Sequence, residues 1–227
     1  MDEIVLIDKP FGMTSFDVIR QLRRRTGIKK WGHAGTLDPL ATGLMILGCE
    51  KGTKRLSELI KLDKEYITEV LVGEKRSTGD MEGEVLEECD VSEIAEADIV
   101  AAIEKLIGTL TLPVSAYSAI KVDGKAMYKR AREAEKKGEQ VTDVPMREMK
   151  VHTAVLLEIQ NTTVNRGMRM IVKIRFFVGS GTYIRSLAEE LGRLLGYPAT
   201  LFSLRRTKVG EYDIKDAKHL SEFVREI

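Results

Sequence analysis

The stretch that most constrains this chain is a glycine-flanked loop that runs directly into an apolar segment. Residues 32–43 have glycines at both ends and an Asp-Pro pair, Asp38 and Pro39, in the middle. A proline biases the residue before it away from the α region, which restricts how the Asp38 side chain leaves the loop. The apolar residues 44–48 are typical of a buried strand. Catalytic side chains are often found on loops braced in this way, although an Asp-Pro pair alone is an ordinary turn dipeptide.

Length and composition are those of a globular chain with a substantial core. The chain has 227 residues, of which 43% are hydrophobic, enough to bury a core in one large domain or two small ones. Two cysteines and three scattered histidines lack the number and spacing of a disulfide framework or a zinc site. The longest early apolar run, residues 4–7, is too short for a signal peptide or a membrane span. We therefore expect a cytoplasmic protein with no metal and no membrane partner.

Charge is unevenly distributed along the chain, although the formal net charge is only +1. Residues 18–30 contain six basic side chains and no acid, whereas residues 80–104 contain ten acids and no base. This asymmetry indicates one face suited to phosphates and another turned away from them. The alternative is that both segments are solvated helix faces without a partner.

The hydrophobic pattern alternates between strand and helix periods, which predicts an α+β fold. Thr14, Ser15 and Asp17 form a capping signal for a helix that ends before Gly27. Residues 151–158 and 168–178 are predicted to form an antiparallel pair across a polar loop at 161–167, followed by an amphipathic helix at 182–195. Further strands are predicted at 3–7, 44–48, 66–72 and 117–122, and further helices at 53–61, 95–107 and 125–137. No internal repeat or long linker indicates a second independent domain.

Arg185 lies in the first turn of the predicted helix at 182–195, where its charge opposes the positive end of the helix dipole. Such an arrangement costs up to about 1 kcal/mol, so a compensating group is expected. A carboxylate such as Asp38, held by the planar guanidinium at two points, is the simplest partner. The alternative is that Arg185 bends into solvent, where a helix charge has little effect.

Several short motifs, collinear along the chain, resemble the TruB family of tRNA pseudouridine synthases. The loop at 32–43 is similar to the catalytic motif of that family, and Lys64-Glu65-Tyr66 to the segment that carries its active-site tyrosine. The other matching segments are Lys9-Pro10-Phe11-Gly12-Met13-Thr14-Ser15, Thr78-Gly79-Asp80-Met81-Glu82-Gly83, Tyr117-Ser118-Ala119-Ile120-Lys121-Val122-Asp123-Gly124 with Tyr128 and Ala131-Arg132, Gly181-Thr182-Tyr183-Ile184-Arg185-Ser186-Leu187, and Leu204-Arg205-Arg206-Thr207. Their shared order identifies the chain as a member of this family.

The resemblance implies the pseudouridine synthase fold. This fold has a mixed, mostly antiparallel sheet flanked by helices, with an inserted RNA-binding hairpin and helix that would occupy residues 117–150 here. We expect residues 1–227 to form a single catalytic domain. The small carboxy-terminal RNA-binding domain common in the family is not expected, because the chain ends soon after residue 210.

The resemblance also implies a catalytic set, with Asp38 as the essential carboxylate and Tyr66 and Arg185 beside it. Pseudouridine formation breaks the N1–C1′ bond, turns the uracil and joins C5 to C1′, so no cofactor and no metal are expected. The target nucleotide must be flipped out of its stack before a carboxylate can reach it. Tyr66 would stack on the uracil and assist proton removal at C5, although a tyrosine in a strand is more often a half-buried sheet residue.

A second set of residues is predicted to contact RNA. His33 would take the place of a stacked base or touch the RNA loop, Lys9 and the basic segment at 18–30 would contact phosphates, and the inserted segment would provide charge and stacking. The alternative treats the helix at 125–137 as a solvated surface element, because its acids dilute its charge. The predicted RNA-binding residues are His33, Lys9, Lys121, Lys125, Tyr128, Lys129, Arg130, Arg132 and Leu204.

Taken together, these features predict an enzyme that isomerises uridine to pseudouridine at position 55 in the T loop of tRNA. The expected partner is the T stem-loop, and the protein is expected to act as a monomer. One alternative is a non-catalytic module that folds tRNA with the same surface. Another is a synthase that acts on a different structured RNA.

Overall fold

The computed structural model describes residues 4–91, 94–118, 120–137, 141, 143–164 and 167–223. Its α-helices are α1 (Ser15–Thr26), α2 (Leu56–Leu59), α3 (Glu96–Glu104), α4 (Met127–Glu135) and α5 (Ile184–Leu195), and short 3-10 helices span Glu50–Arg55, Ile214–Asp216 and Leu220–Glu222. Its strands are β1 (Ile4–Lys9), β2 (Trp31–His33), β3 (Thr42–Cys49), β4 (Lys64–Val72), β5 (Glu74–Arg76), β6 (Val85–Glu88), β7 (Gly108–Pro113), β8 (Lys121–Val122), β9 (Lys125–Ala126), β10 (Met146–Val164), β11 (Gly167–Val178), β12 (Ala199–Val209) and β13 (Tyr212–Asp213).

A single mixed sheet organises the fold. Its strand order is β1-β3-β12-β4-β11-β10-β7, and the short strands β2 and β13 pair with β3 and β12 respectively. Strands β3 and β12 run parallel, through Arg205 beside Thr42 and Arg206 beside Gly43, whereas the other described pairs of this sheet are antiparallel. The predicted α+β class with a mostly antiparallel sheet is confirmed.

Strand β3 is buried on both faces, which explains its continuous apolar sequence. Met45 and Leu47 belong to the main core, together with residues of α1, α3 and α5. Leu44 and Ile46 point the other way, into a smaller cluster with residues of α2 and β12. Because β3 leads straight out of the loop at 32–43, the loop is anchored to the centre of the molecule.

Helix α1 begins and ends where the sequence predicts. The Thr14 side chain accepts a hydrogen bond from the Asp17 backbone amide, and the Asp17 carboxylate accepts one from the Thr14 amide, which completes a capping box. Gly27 ends the helix in the left-handed conformation, at a φ of 73°. Val18, Ile19 and Leu22 are buried, so the basic side chains of α1 face outward.

Several predicted boundaries differ from the structure. Residues 161–164 and 167 of the polar segment predicted as a loop continue the ladder, so β10 and β11 pair over a long stretch whose register extends to Val164 beside Gly167. The helix predicted at 53–61 is a 3-10 helix followed by the short α2. Strands β7 and β12 were not predicted, because the alternation in β7 is limited to four residues between a glycine and a proline, and β12 carries charged residues within its motif.

The predicted insertion is a small hairpin, β8 with β9, followed by α4. Its first strand is shorter than predicted, because only Lys121–Val122 of the expected 117–122 forms a strand. Residues 119, 138–140 and 142 of this segment lie outside the described part of the chain. No helix among the described residues is long and apolar enough to cross a bilayer.

Candidate active site

A cavity of about 300 Å³ opens where the loop after β2, the start of α5 and strands β4 and β12 meet. Asp38, Tyr66, Arg185 and Leu204 all line it, so the structure brings together the predicted catalytic set and one predicted RNA contact. The remaining lining residues are Gly35, Thr36, Leu37, Ile60, Lys64, Tyr117, Ser118, Gly179, Ser180, Gly181, Thr182, Tyr183, Ile184 and Arg206.

The loop that carries Asp38 is fixed from behind. The Ser15 hydroxyl accepts a hydrogen bond from the Leu37 amide and donates one to the Leu37 carbonyl, both at 2.9 Å. The Pro39 carbonyl accepts a hydrogen bond from the Gly12 amide, also at 2.9 Å. The Asp38 side chain itself remains 39% exposed, so a carboxylate between two hydrogen-bonded residues is presented to the cavity.

Arg185 holds Asp38 from the opposite wall. Its Nη2 lies 3.2 Å from Asp38 Oδ2, and its Nη1 lies 3.5 Å from Asp80 Oδ2. The same guanidinium donates hydrogen bonds to the carbonyls of Thr78 at 3.0 Å and Tyr117 at 3.3 Å. The predicted pairing with Asp38 is present, but the two-point grip on Asp38 alone is wrong. The guanidinium is instead shared between two carboxylates and two carbonyls, and only 8% of its side chain is exposed.

Asp80 was not among the predicted site residues. It is almost fully buried, and its Oδ1 accepts hydrogen bonds from the Thr78 hydroxyl at 2.6 Å and the Glu82 amide at 3.1 Å. A buried carboxylate needs such partners, and here they aim its other oxygen at Arg185. The only signal for it was its place in the matching segment at 78–83.

Tyr66 is both a buried residue of the sheet and part of the cavity wall. As the third residue of β4 it is 8% exposed and belongs to the main core, as a sheet tyrosine would. It also lines the cavity that Asp38 and Arg185 face. Its ring is therefore held by core packing at a position where it meets whatever enters the cavity.

Two further buried cations, Lys64 and Arg206, lie in the cavity wall and were not predicted. The Lys64 ammonium donates to the carbonyls of Ile60 and Leu62, and burial, aided by Arg206, lowers its pKa to about 8. The guanidinium of Arg206 donates to the Leu44 carbonyl at 2.7 Å. These cations make the wall electropositive, which suits an anionic ligand such as a nucleotide.

The family model for the N-terminal domain of TruB family pseudouridylate synthases matches residues 23–184. The chain belongs to the TruB family. Its members are pseudouridylate synthases, so this chain is an isomerase of that type. The tRNA pseudouridine synthase B of Leifsonia xyli subsp. xyli is 42% identical over 221 residues, covering 96% of this chain and 70% of that protein. That of Corynebacterium efficiens is 40% identical over 219 residues, covering 96% of this chain and 71% of that protein.

Solved structures share the fold of this TruB family member. A chain of an H/ACA ribonucleoprotein bound to a substrate RNA containing 2′-deoxyuridine matches with a TM-score of 0.68 at 24% identity. The match covers 96% of this chain and 51% of that one, so this chain spans about half its length. A chain of a Cbf5-Nop10-Gar1 complex gives the same TM-score and identity. These matches confirm the pseudouridine synthase fold.

Lys9 does not occupy the position predicted for it in this TruB family member. Its side chain is fully buried, and its ammonium donates to the carbonyls of Pro10 at 2.9 Å and Pro39 at 3.3 Å. Burial lowers the Lys9 pKa to about 8, although nearby Asp38 opposes the shift. Because no phosphate can reach a buried ammonium, the predicted phosphate contact is wrong. Lys9 instead braces the Asp38 loop.

His33 lies on β2, outside the residues that line the cavity. It is half-buried, and burial, aided by Arg206, lowers its pKa. Its Nδ1 atom has no hydrogen-bond partner among the described residues. The Nδ1 atom is itself buried, so an RNA base could meet only the remaining part of the imidazole ring.

Part of the positive charge of the inserted segment is engaged in ion pairs within that segment. Lys125 pairs with Glu133, and Arg130 lies 3.0 Å from Asp123 and donates to the Val122 carbonyl. The Arg132 guanidinium lies 5.8 Å from the centre of the Tyr128 ring. Lys121, Lys129 and Arg132 are exposed. Among the described residues, no group of His, Cys, Asp and Glu could hold a metal ion.

Proposed function

We propose that this chain isomerises uridine to pseudouridine at position 55 in the T loop of tRNA, with Asp38 as the catalytic carboxylate. The observation that carries the proposal is the Asp38 side chain itself. It is partly exposed in a cavity of about 300 Å³ and is paired at 3.2 Å with an otherwise buried arginine. The two tRNA pseudouridine synthase B relatives, matched over nearly the whole chain, supply the substrate class.

The first step is the entry of the target nucleotide. A base within a folded RNA loop is inaccessible to a carboxylate at the bottom of a cavity, so the nucleotide must be flipped outward. The cavity is at the lower end of the volumes that hold small ligands, which suits one nucleotide rather than a duplex segment. The buried cations Lys64 and Arg206 attract a phosphate-bearing group to the cavity through their electric field, without contacting the phosphate.

Asp38 then acts on the bound nucleotide as nucleophile or base. Arg185 fixes the direction of this carboxylate, because its guanidinium is itself held by Asp80 and by the carbonyls of Thr78 and Tyr117. Tyr66 stacks on the uracil, and its hydroxyl assists removal of the C5 proton. Leu204 packs against the base from β12. The isomerisation is intramolecular and redox-neutral, so no cofactor is consumed.

The remaining contacts hold the RNA around the cavity. Lys121, Lys129 and Arg132 are exposed cations that contact phosphates, and Tyr128 offers a ring for stacking. Lys125 and Arg130 contribute less in the free protein, because each is paired with an acid. His33 contacts a base of the RNA loop. The protein acts in the cytoplasm as a monomer.

The test is to incubate the purified protein with an unmodified tRNA transcript, without cofactor and with a chelator present, and to map pseudouridine. The Asp38→Asn variant and an unrelated structured RNA serve as controls. Pseudouridine at position 55, formed by the wild type and not by the variant, is the expected result. Binding without any pseudouridine would favour the tRNA-folding alternative, and modification of the unrelated RNA would favour the broader synthase.

A further inference from the structure

A strip of exposed aromatic and basic side chains begins beside the Asp38 loop and continues along α1. Phe11, in the turn before α1, is 71% exposed, and Phe16, in its first turn, is 55% exposed. Arg20 and Arg23 follow one and two turns later on the same side of the helix. Their guanidinium carbons lie 5.6 and 5.8 Å from the centre of the Phe16 ring. We call these four residues the α1 strip.

The α1 strip is attached rigidly to the catalytic loop. The turn after Phe11 is bonded to Pro39 through the Gly12 amide, at 2.9 Å. The residue before Phe16 is Ser15, whose hydroxyl makes both hydrogen bonds to Leu37. Because these contacts flank Asp38 directly, the position of the strip relative to the reacting group is set by the backbone.

The α1 strip keeps an excess of positive charge, because its two arginines face a single acid in α1. Asp17 is the acid within α1, and its carboxylate is engaged by the Thr14 amide and hydroxyl in the helix cap as well as by Arg20 at 3.2 Å. The stretch from residue 18 to residue 30 contains six cations and no acid. The partner should therefore be negatively charged and should also offer flat surfaces to the two phenylalanines.

We propose that the α1 strip binds an unpaired strand of the substrate RNA next to the flipped nucleotide. Phe11 and Phe16 stack with bases, and Arg20 and Arg23 contact phosphates beside the Phe16 ring. Single-stranded RNA presents bases that stack on aromatic rings and phosphates that attract cations, and this surface offers both kinds of group side by side. The inference rests on the proposed function, since it assumes that RNA occupies the cavity. A protein partner would call for a broader apolar surface and mixed charge.

The test measures the dissociation constant of an unmodified T-arm hairpin and its salt dependence. Phe16→Ala should weaken binding by roughly 5- to 150-fold, the range for loss of one stacked base. Phe16→Tyr should restore binding, because it keeps the ring. The double variant Arg20→Ala with Arg23→Ala should lower the slope of log Kd against log salt by about 0.7 to 0.9 for each lost phosphate.

Matched controls come from elsewhere on the surface. Met168, on β11, is an exposed apolar residue, and Arg193, on α5, is an exposed arginine paired with Glu190. Met168→Ala and Arg193→Ala should bind the hairpin like the wild type. The proposal is overturned if the α1 strip variants match these controls in affinity and slope, or if Phe16→Tyr fails to restore binding. The proposed function is tested separately, by mapping pseudouridine. Absence of pseudouridine with the wild type would refute it, whereas the binding assay measures affinity alone.

Discussion

Replacement of Asp80 by asparagine tests whether Asp80 must hold Arg185 in place for Asp38 to act. The Asp80 carboxylate accepts hydrogen bonds from Thr78 and Glu82 on one oxygen and faces Arg185 at 3.5 Å with the other. An amide cannot reproduce this arrangement. In one orientation its NH₂ group faces the guanidinium, and in the other it faces the Glu82 amide, so a buried donor always meets a donor.

The expected cost follows from that mismatch. A buried polar group left without its partner costs about 1–3 kcal/mol, because its hydration is lost without compensation. Arg185 keeps its carbonyl contacts with Thr78 and Tyr117, so we expect displacement rather than loss of the guanidinium. If the whole cost appears in the transition state, the rate constant falls by roughly 5- to 150-fold. If it appears in folding instead, a chain of this size loses about 2–4 °C of Tm for each kcal/mol.

The assay is single-turnover release of tritium from C5-labelled uridine in tRNA at saturating enzyme, with Tm measured in parallel. Saturation separates the chemical step from binding. Glu84→Gln is the matched control, because Glu84 is an exposed acid in the same loop. An Asp80→Asn rate and Tm both equal to those of Glu84→Gln would refute the claim that Asp80 positions Arg185.

Three further outcomes are expected. Asp38→Asn should abolish isomerisation while tRNA binding in a filter assay stays close to wild type, and turnover within tenfold of wild type would remove Asp38 from the mechanism. Arg185→Lys should lower the single-turnover rate more than the affinity, because an ammonium cannot replace the planar guanidinium, and an equal loss of both would make Arg185 a phosphate contact. Burial lowers the pKa of Lys64 from 10.5 to about 8. Between pH 8 and pH 10.5 the unfolded chain therefore binds more protons at this side chain than the folded protein does. The free energy of unfolding of the wild type, relative to Lys64→Met in urea titrations, should therefore rise from pH 8 to pH 10.

Local patterns in the sequence were sufficient for the elements that frame the site. The cap and stop signals of α1, the apolar run of β3 and the one-sided apolar face of α5 depend on neighbouring residues, and each appears near its predicted position. The pairing of Arg185 with a carboxylate also followed from local physics, because a cation in the first turn of a helix needs compensation. The membership in the TruB family followed from motif order, since it needs no knowledge of contacts.

Burial and long-range contact were decided only by the tertiary structure. Asp80 lies 105 residues from Arg185 in the chain, so no local pattern could show that it shares the guanidinium. Lys9 has the sequence of a surface cation but is enclosed when the Pro39 loop folds over it. Lys64 and Arg206 face the cavity because β4 and β12 are adjacent, and that adjacency exists only once the sheet has formed. Sequence sets the charge of a side chain, whereas the surrounding fold sets whether that charge meets water, another charge or a ligand.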